Sequence, residues 1–371
     1  MTEDITKQLG FNTSGAGLES LIQPVQLIQE DRNEEKEKYY SAPSGLATKV
    51  GIMAIGTSGD SSKIDNLKNR IPSFSHGAKI RSGKVESFEG EEMLAIGYES
   101  GNAAIRIEFP RHNGTKQAVR KLYALSMVKA NEQCLSGGEI FDPNQTMIRF
   151  PLKELVDNGM YKTERSAREG FLKGVDILTK IRIGVDSSTP AGSGVIVPFP
   201  TGWIKNGICY IRMNPDAPWK DYMGYYTLLP KYSYTLSTGA FDLLYQIVIL
   251  ARQHKEDIAK DGFFTISLKA VATYLQLPDP EGDSNASRKV KGRLLETIDE
   301  INATHQKYVG DNEISLEVIE DTDQSATVKD FIENGKLKVY AKGSFANYFN
   351  RIEASEEEKK KKKSSKKKKS V

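Results

Sequence analysis

The sequence predicts an α+β protein with two tandem winged-helix domains, preceded by a small β-rich N-terminal region and followed by a disordered Lys-rich C-terminal tail. Three observations predict it. An internal repeat runs through the chain at an offset of about 116 positions. Each copy reads as helix, strand, helix, helix and then two strands, the element order of a winged helix. A local match, "RFPLKEL" (149–155) against "TISLKAV" (265–271), aligns the copies. A period this long is a domain duplication rather than a solenoid repeat.

In the first copy "GTKQAVRKLYALSMVKANEQ" is a helix and "TMIRF" a short strand. "PLKELVDNG" is a helix with Leu152, Leu155 and Val156 on one face, and Gly159 stops it. "TERSAREGFLKGVDILTK" is the third helix, capped by Thr163, with Ala167, Phe171, Val175 and Leu178 inward. The strands that follow are linked by Gly, Ser and Pro. In the second copy "STGAFDLLYQIVILARQHK" is a helix and "FFTI" a strand. "SLKAVATYLQL" is a helix capped by Ser267, with Leu268, Val271, Ala272 and Leu275 inward. "NASRKVKGRLLETIDEIN" is the third helix, with Val290, Leu294, Ile298 and Ile301 inward. "ISLEVIED" and "GKLKVYAKGSF" close the unit as strands.

The domain boundaries drawn from this are 113–230 and 231–352. Residues 1–45 read as weakly structured, with a short helix broken near Pro24. Residues 46–112 read as an accessory β region, with two strands around the turn signal Glu99-Ser100-Gly101-Asn102. Residues 353–371 are the tail.

The chain has 371 residues and a formal net charge of +3. The tail holds nine lysines: Lys359, Lys360, Lys361, Lys362, Lys363, Lys366, Lys367, Lys368 and Lys369. Removing them leaves +3 − 9 = −6 elsewhere. Overall basicity is therefore no argument for nucleic acid, and local basicity is what counts. The tail itself is a solvated end or a salt-sensitive, sequence-blind attraction to DNA. No apolar run approaches a membrane span, and the N-terminus lacks a secretory layout. Two cysteines far apart, Cys134 and Cys209, fit buried thiols in a reducing cytoplasm.

The third helix of the second copy has a charge order that opposes its dipole. Arg288, Lys289, Lys291 and Arg293 come first; Glu296, Asp299 and Glu300 follow. A helix dipole favours the reverse by about 0.3–1 kcal/mol per charge. Entry of the helix N-terminus into the DNA major groove gives the order a reason, because bases there meet phosphates and guanine edges. In the first copy Lys162, Arg165 and Arg168 hold the matching positions, with Glu164 and Glu169 among them. The alternative for both helices is a solvated face of mixed charge. The segments "SSTPAGSG" and "EDTDQSATVKDFIENG", where wings are expected, are not basic.

Enzymatic signals are thin, and a non-enzymatic protein without cofactor or metal is the expectation. "GTSGDSSK" (56–63) lacks the Gly-Lys-Ser/Thr ending of a phosphate loop. His76, His112, His254 and His305 are scattered and have no metal-ligand spacing. Tyr222, Tyr225, Tyr226, Tyr232 and Tyr234 between the copies read as interdomain packing residues.

The stretch "CYIRMNPDAPWKDYMGYYTLLPKYSYTLSTGAFDLLYQIVILARQ" (209–253) resembles the join between the winged helices of iteron-type plasmid replication initiators. "RKVKGRLLETIDEINA" (288–303) resembles their second recognition helix. The resemblance spans about residues 116–345. It implies a cytoplasmic protein that binds direct repeats in double-stranded DNA at a replication origin of a plasmid, phage or integrated element. It also implies opening of that origin, recruitment of a host helicase, and dimerisation through the first domain. Two other readings stay open: a winged-helix transcriptional regulator, and a phage or structural protein that uses winged helices for protein contact.

Overall fold

The computed structural model describes residues 38–43, 79–88, 91–100, 103–110, 116–134, 146–187, 194–215, 226–275, 277–278, 280, 284–310, 313–319 and 327–352. The Lys-rich tail and most of the first 45 residues lie outside them. The fold is mixed α+β, in two compact units. One holds the described residues from Ser41 to Tyr226; the other holds those from Thr227 onward together with Lys38, Tyr39 and Tyr40. The chain passes between the units within β1 (Tyr39–Pro43) and again at the start of β10 (Tyr226–Pro230).

The first unit carries two antiparallel sheets. β2 (Lys79–Phe88), β3 (Glu91–Ser100) and β4 (Ala103–Pro110) form a meander. β3 and β4 meet at the expected turn, with Ser100 opposite Ala103. β6 (Arg182–Ser187) and β7 (Gly194–Ile196) extend this sheet to the order β2-β3-β4-β6-β7. The segment "SSTPAGSG", expected as a wing, thus joins two strands of the five-stranded sheet. The hairpin is built from later residues, β8 (Thr201–Lys205) and β9 (Ile208–Arg212). With β5 (Met147–Pro151) it forms a three-stranded sheet in the order β5-β9-β8.

Among the described residues this unit has the helices α1 (Lys116–Cys134), the short α2 (Glu154–Asp157) and α3 (Glu164–Leu178). From Val119 to Asn131 every α1 side chain except that of Lys129 is buried, so α1 is a central helix without a clear solvent face. Ala167, Phe171, Val175 and Leu178 of α3 are buried, as the spacing predicts. Close approach needs glycine at two places here. A Cβ at Gly174 would come 2.5 Å from Leu122 of α1, and one at Gly202 would come 3.0 Å from Val175.

The second unit is built around α4 (Thr238–Gln253), whose residues from Ala240 to Ile249 are all buried. Each large apolar side chain taken out of water there contributes about 1.5–3 kcal/mol. α5 (Lys255–Asp261), unread in the sequence, follows and ends at Gly262 with φ 74°. β11 (Phe263–Ser267) leads into α6 (Leu268–Tyr274), and then comes α7 (Asn285–Val309). β12 (Ile314–Ile319), α8 (Val328–Asn334) and β13 (Lys336–Ala341) follow, and a further helix, α9, includes residues 343–352. The sheet order is β11-β13-β12, the same pattern as β5-β9-β8 in the first unit.

Two expectations change here. The acidic segment "EDTDQSATVKDFIENG" is not simply a turn between strands, because α8 forms inside it. Thr327 and Asp330 make a reciprocal capping box, with Asp330 N donating to Thr327 Oγ1 at 3.2 Å and Thr327 N donating to Asp330 Oδ2 at 3.0 Å. "TVKD" before an apolar pair was the available signal. Tyr232 and Tyr234 are packing residues of the second unit itself: both are buried, and Tyr234 meets Tyr40 edge-on at 5.9 Å. Tyr222 and Tyr225 lie outside the described residues.

Candidate nucleic-acid interface

The basic half of α7 starts at a built cap. Ser284 Oγ accepts from Ser287 N at 3.2 Å, and no acidic residue sits in the first turn. Ser287, Val290 and Leu294 anchor this half of the helix in the core. The anchoring leaves Arg288, Lys289 and Arg293 exposed. Lys289 and Arg293 make no ion pair among the described residues. Lys291 is different: its Nζ stands 3.9 Å from the ring centroid of Phe331 on α8. That cation–π contact fixes Lys291 against Phe331 within the second unit.

The acidic half has structural partners that the sequence did not reveal. Glu300 Oε1 accepts from Ser237 N and Glu300 Oε2 from Ser237 Oγ, both at 2.6 Å. Ser237 is the N-cap of α4, so a carboxylate from α7 closes the positive end of the central helix. Two residues on, Asn302 bonds β12 twice: Nδ2 donates to Leu316 O at 2.8 Å, and Oδ1 accepts from Leu316 N at 2.9 Å. One further turn along, buried His305 accepts from Ile314 N through Nε2 at 3.2 Å. That bond leaves the ring proton on Nδ1, which donates to Tyr232 Oη at 2.8 Å. The second half of α7 is therefore bolted to α4, β12 and Tyr232, and the first half projects its bases.

In the first unit α3 begins with Thr163, which forms a capping box with Ser166. Lys162, Arg165 and Arg168 are exposed. Arg165 Nε pairs with Glu169 Oε1 at 3.2 Å, with the two side chains 90% and 59% exposed. Such a pair stabilises little and opens readily. The positive surface of α3 is thus partly cancelled by its own acids. Beneath it, Cys209 is a buried free thiol, pushed up to about 12 by burial and so inert as a nucleophile.

A second basic surface of the first unit went unread in the sequence. The outer face of the three-stranded sheet carries Trp203 opposite Tyr210, and Arg149 opposite Tyr210 on its other side. The Trp203 and Tyr210 rings stack at 5.3 Å between centroids and 9° between planes. Lys205 and Arg212 are exposed on the same hairpin. The available signal was the Asn206-Gly207 dipeptide between two alternating runs, a strong hairpin marker.

No group of three or more His, Cys, Asp or Glu side chains is placed to hold a metal among the described residues. No helix among them is long and apolar enough to cross a membrane. No protein-family model matches the chain, and no curated protein matches it. Among solved structures it is similar to two crystal structures of domains 2 and 3 of RctB. For a selenomethionine form the TM-score is 0.39 at 9% identity, over 74% of this chain and 95% of that one. For the second the TM-score is 0.40 at 10% identity, over 76% of this chain and 97% of that one.

Proposed function

We propose that the two units are winged helices and that the protein binds double-stranded DNA sequence-specifically, as a replication initiator at repeated origin sites. The observation that carries this reading is the division of α7. Its apolar stripe and its acidic half are anchored inside the second unit, and its first half projects Arg288, Lys289 and Arg293 to solvent. A helix built this way presents its N-terminal bases to a major groove while its C-terminal half stays in the core. Shared sheet order in the two units supports the winged-helix reading. α3, with Lys162, Arg165 and Arg168, contributes the second and weaker contact. The residues act by binding and by deforming DNA, not by covalent chemistry. Dimerisation and recruitment of a host helicase belong to the same proposal, and so does a non-specific hold by the Lys-rich tail.

The test is fluorescence anisotropy on duplexes from the DNA around the gene, across a salt series. Arg288→Ala with Lys289→Ala is expected to weaken specific binding by a few kcal/mol, at about 1–3 kcal/mol for each base-reading contact. Unchanged affinity at fixed salt removes α7 from the groove. Protection of direct repeats supports initiation, whereas a single inverted repeat at a promoter identifies a transcriptional regulator instead.

A further inference from the structure

The outer face of the β5-β9-β8 sheet is a place where side chains meet without serving the core. Strand register puts Arg149, Tyr210 and Trp203 in one row across the three strands, with Arg212 and Lys205 in the neighbouring rows. Arg149, Arg212, Lys205 and Trp203 are exposed, Trp203 by 37%. None of the strand residues that the register places on this face is acidic. The two rings stack nearly parallel, and β8 is the edge strand, so the ring face of Trp203 turned from Tyr210 has no strand beside it.

The equivalent face of the second unit shows what a self-satisfied version looks like. Its matching row is Thr265, Lys338 and Glu317. Lys338 Nζ there lies 3.9 Å from the Phe263 ring centroid and 4.6 Å from that of Tyr340. Glu317 Oε2 accepts from Tyr340 Oη at 2.7 Å. Cation, acid and rings in that unit are matched to one another. In the first unit the acid is absent, and aromatic surface and positive charge are both left facing solvent.

Flat aromatic rings beside three cations fit a ligand that is itself flat-faced and polyanionic. An unpaired nucleic-acid strand meets both conditions: its bases stack on rings, and its phosphates meet Arg and Lys. A duplex hides its base faces and cannot use Trp203. We propose that this sheet face binds single-stranded nucleic acid, with Trp203 as the stacking surface, Tyr210 holding its ring upright, and Arg149, Arg212 and Lys205 contacting phosphates. The site is distinct from the α7 surface and does not depend on the reading given to α7.

The experiment uses the full chain with Trp219→Phe, which removes the only other tryptophan. Unlabelled oligothymidine and oligouridine of about 15 nucleotides are titrated while tryptophan emission is followed, and a fluorescein-labelled set with a matched duplex is read by anisotropy. Quenching of Trp203 by either single strand is expected, and the tighter of the two identifies DNA or RNA as the source. In the chain with Trp219 retained, Trp203→Ala is expected to lower single-strand affinity by about tenfold or more with duplex affinity unchanged, and Trp203→Phe to keep most of it. Arg149→Gln with Arg212→Gln, which leaves the ring stack in place, is expected to reduce the salt dependence of the same binding. Absence of quenching, single-strand affinity indifferent to both variants, or an equal loss on duplex each overturns the proposal. The Arg288→Ala, Lys289→Ala protein keeps single-strand binding if the platform is right, even where the duplex reading fails.

Discussion

The carboxylate of Glu300 receives two 2.6 Å hydrogen bonds from one residue, Ser237, and this changes how the charges of α7 are understood. In the sequence, the acids of its second half look like residues kept clear of DNA. Glu300 is instead a tether between α7 and the start of α4, formed across 63 positions of chain. Glu300→Gln keeps one acceptor but loses the charge at the helix end, and it is expected to cost about 1 kcal/mol of stability with duplex affinity unchanged. Urea unfolding beside an anisotropy titration checks both halves. Lys291 is a parallel case, since its place over Phe331 depends on a helix that the sequence reading missed. Arg288, Lys289 and Arg293 were legible as candidate contacts because periodicity alone decides which positions a helix exposes.

At the scale of elements, the long amphipathic helices were legible and the short connections were not. The inward residues named for α3, α6 and α7 are buried, because a period of 3.6 against a core leaves little choice. The first hairpin was misplaced. The expected turn, "SSTPAGSG", is rich in small residues, and only strand pairing shows that β6 and β7, the strands it connects, join the five-stranded sheet. The hairpin that presents Trp203 turns on Asn206 at φ 51° and Gly207 at φ 73°. A Cβ at Gly207 would meet nothing within 4 Å, so only backbone conformation opposes a larger residue. Gly207→Ala is accordingly expected to lower stability by about 1 kcal/mol, read as a fall in the denaturation midpoint.

At the scale of the whole molecule, the second unit takes residues from two distant parts of the chain. Tyr39 Oη donates to Glu313 Oε2 at 2.6 Å, Lys38 Nζ pairs with Glu313 Oε1 at 3.0 Å, and the Tyr39 ring stacks on Phe345 at 6.2 Å. Glu313 is almost fully buried, so both partners answer its desolvation. Tyr39→Ala is expected to cost about 3 kcal/mol and to destabilise the second unit before the first, visible as a split thermal transition. Tyr39→Phe, which keeps the ring, is expected to cost less. The sequence by itself determined the mixed α+β class, the long amphipathic helices, their buried faces and the basic cluster of α7. Those follow from local periodicity and charge, which a chain carries without being folded. Only the tertiary structure decided that Lys38–Tyr40 belong to the second unit, that Glu300 caps α4, and that Arg149, Tyr210 and Trp203 share one row. Each of these brings together residues tens to hundreds of positions apart, through strand register or a few side-chain contacts, and neither leaves a periodic trace in the sequence.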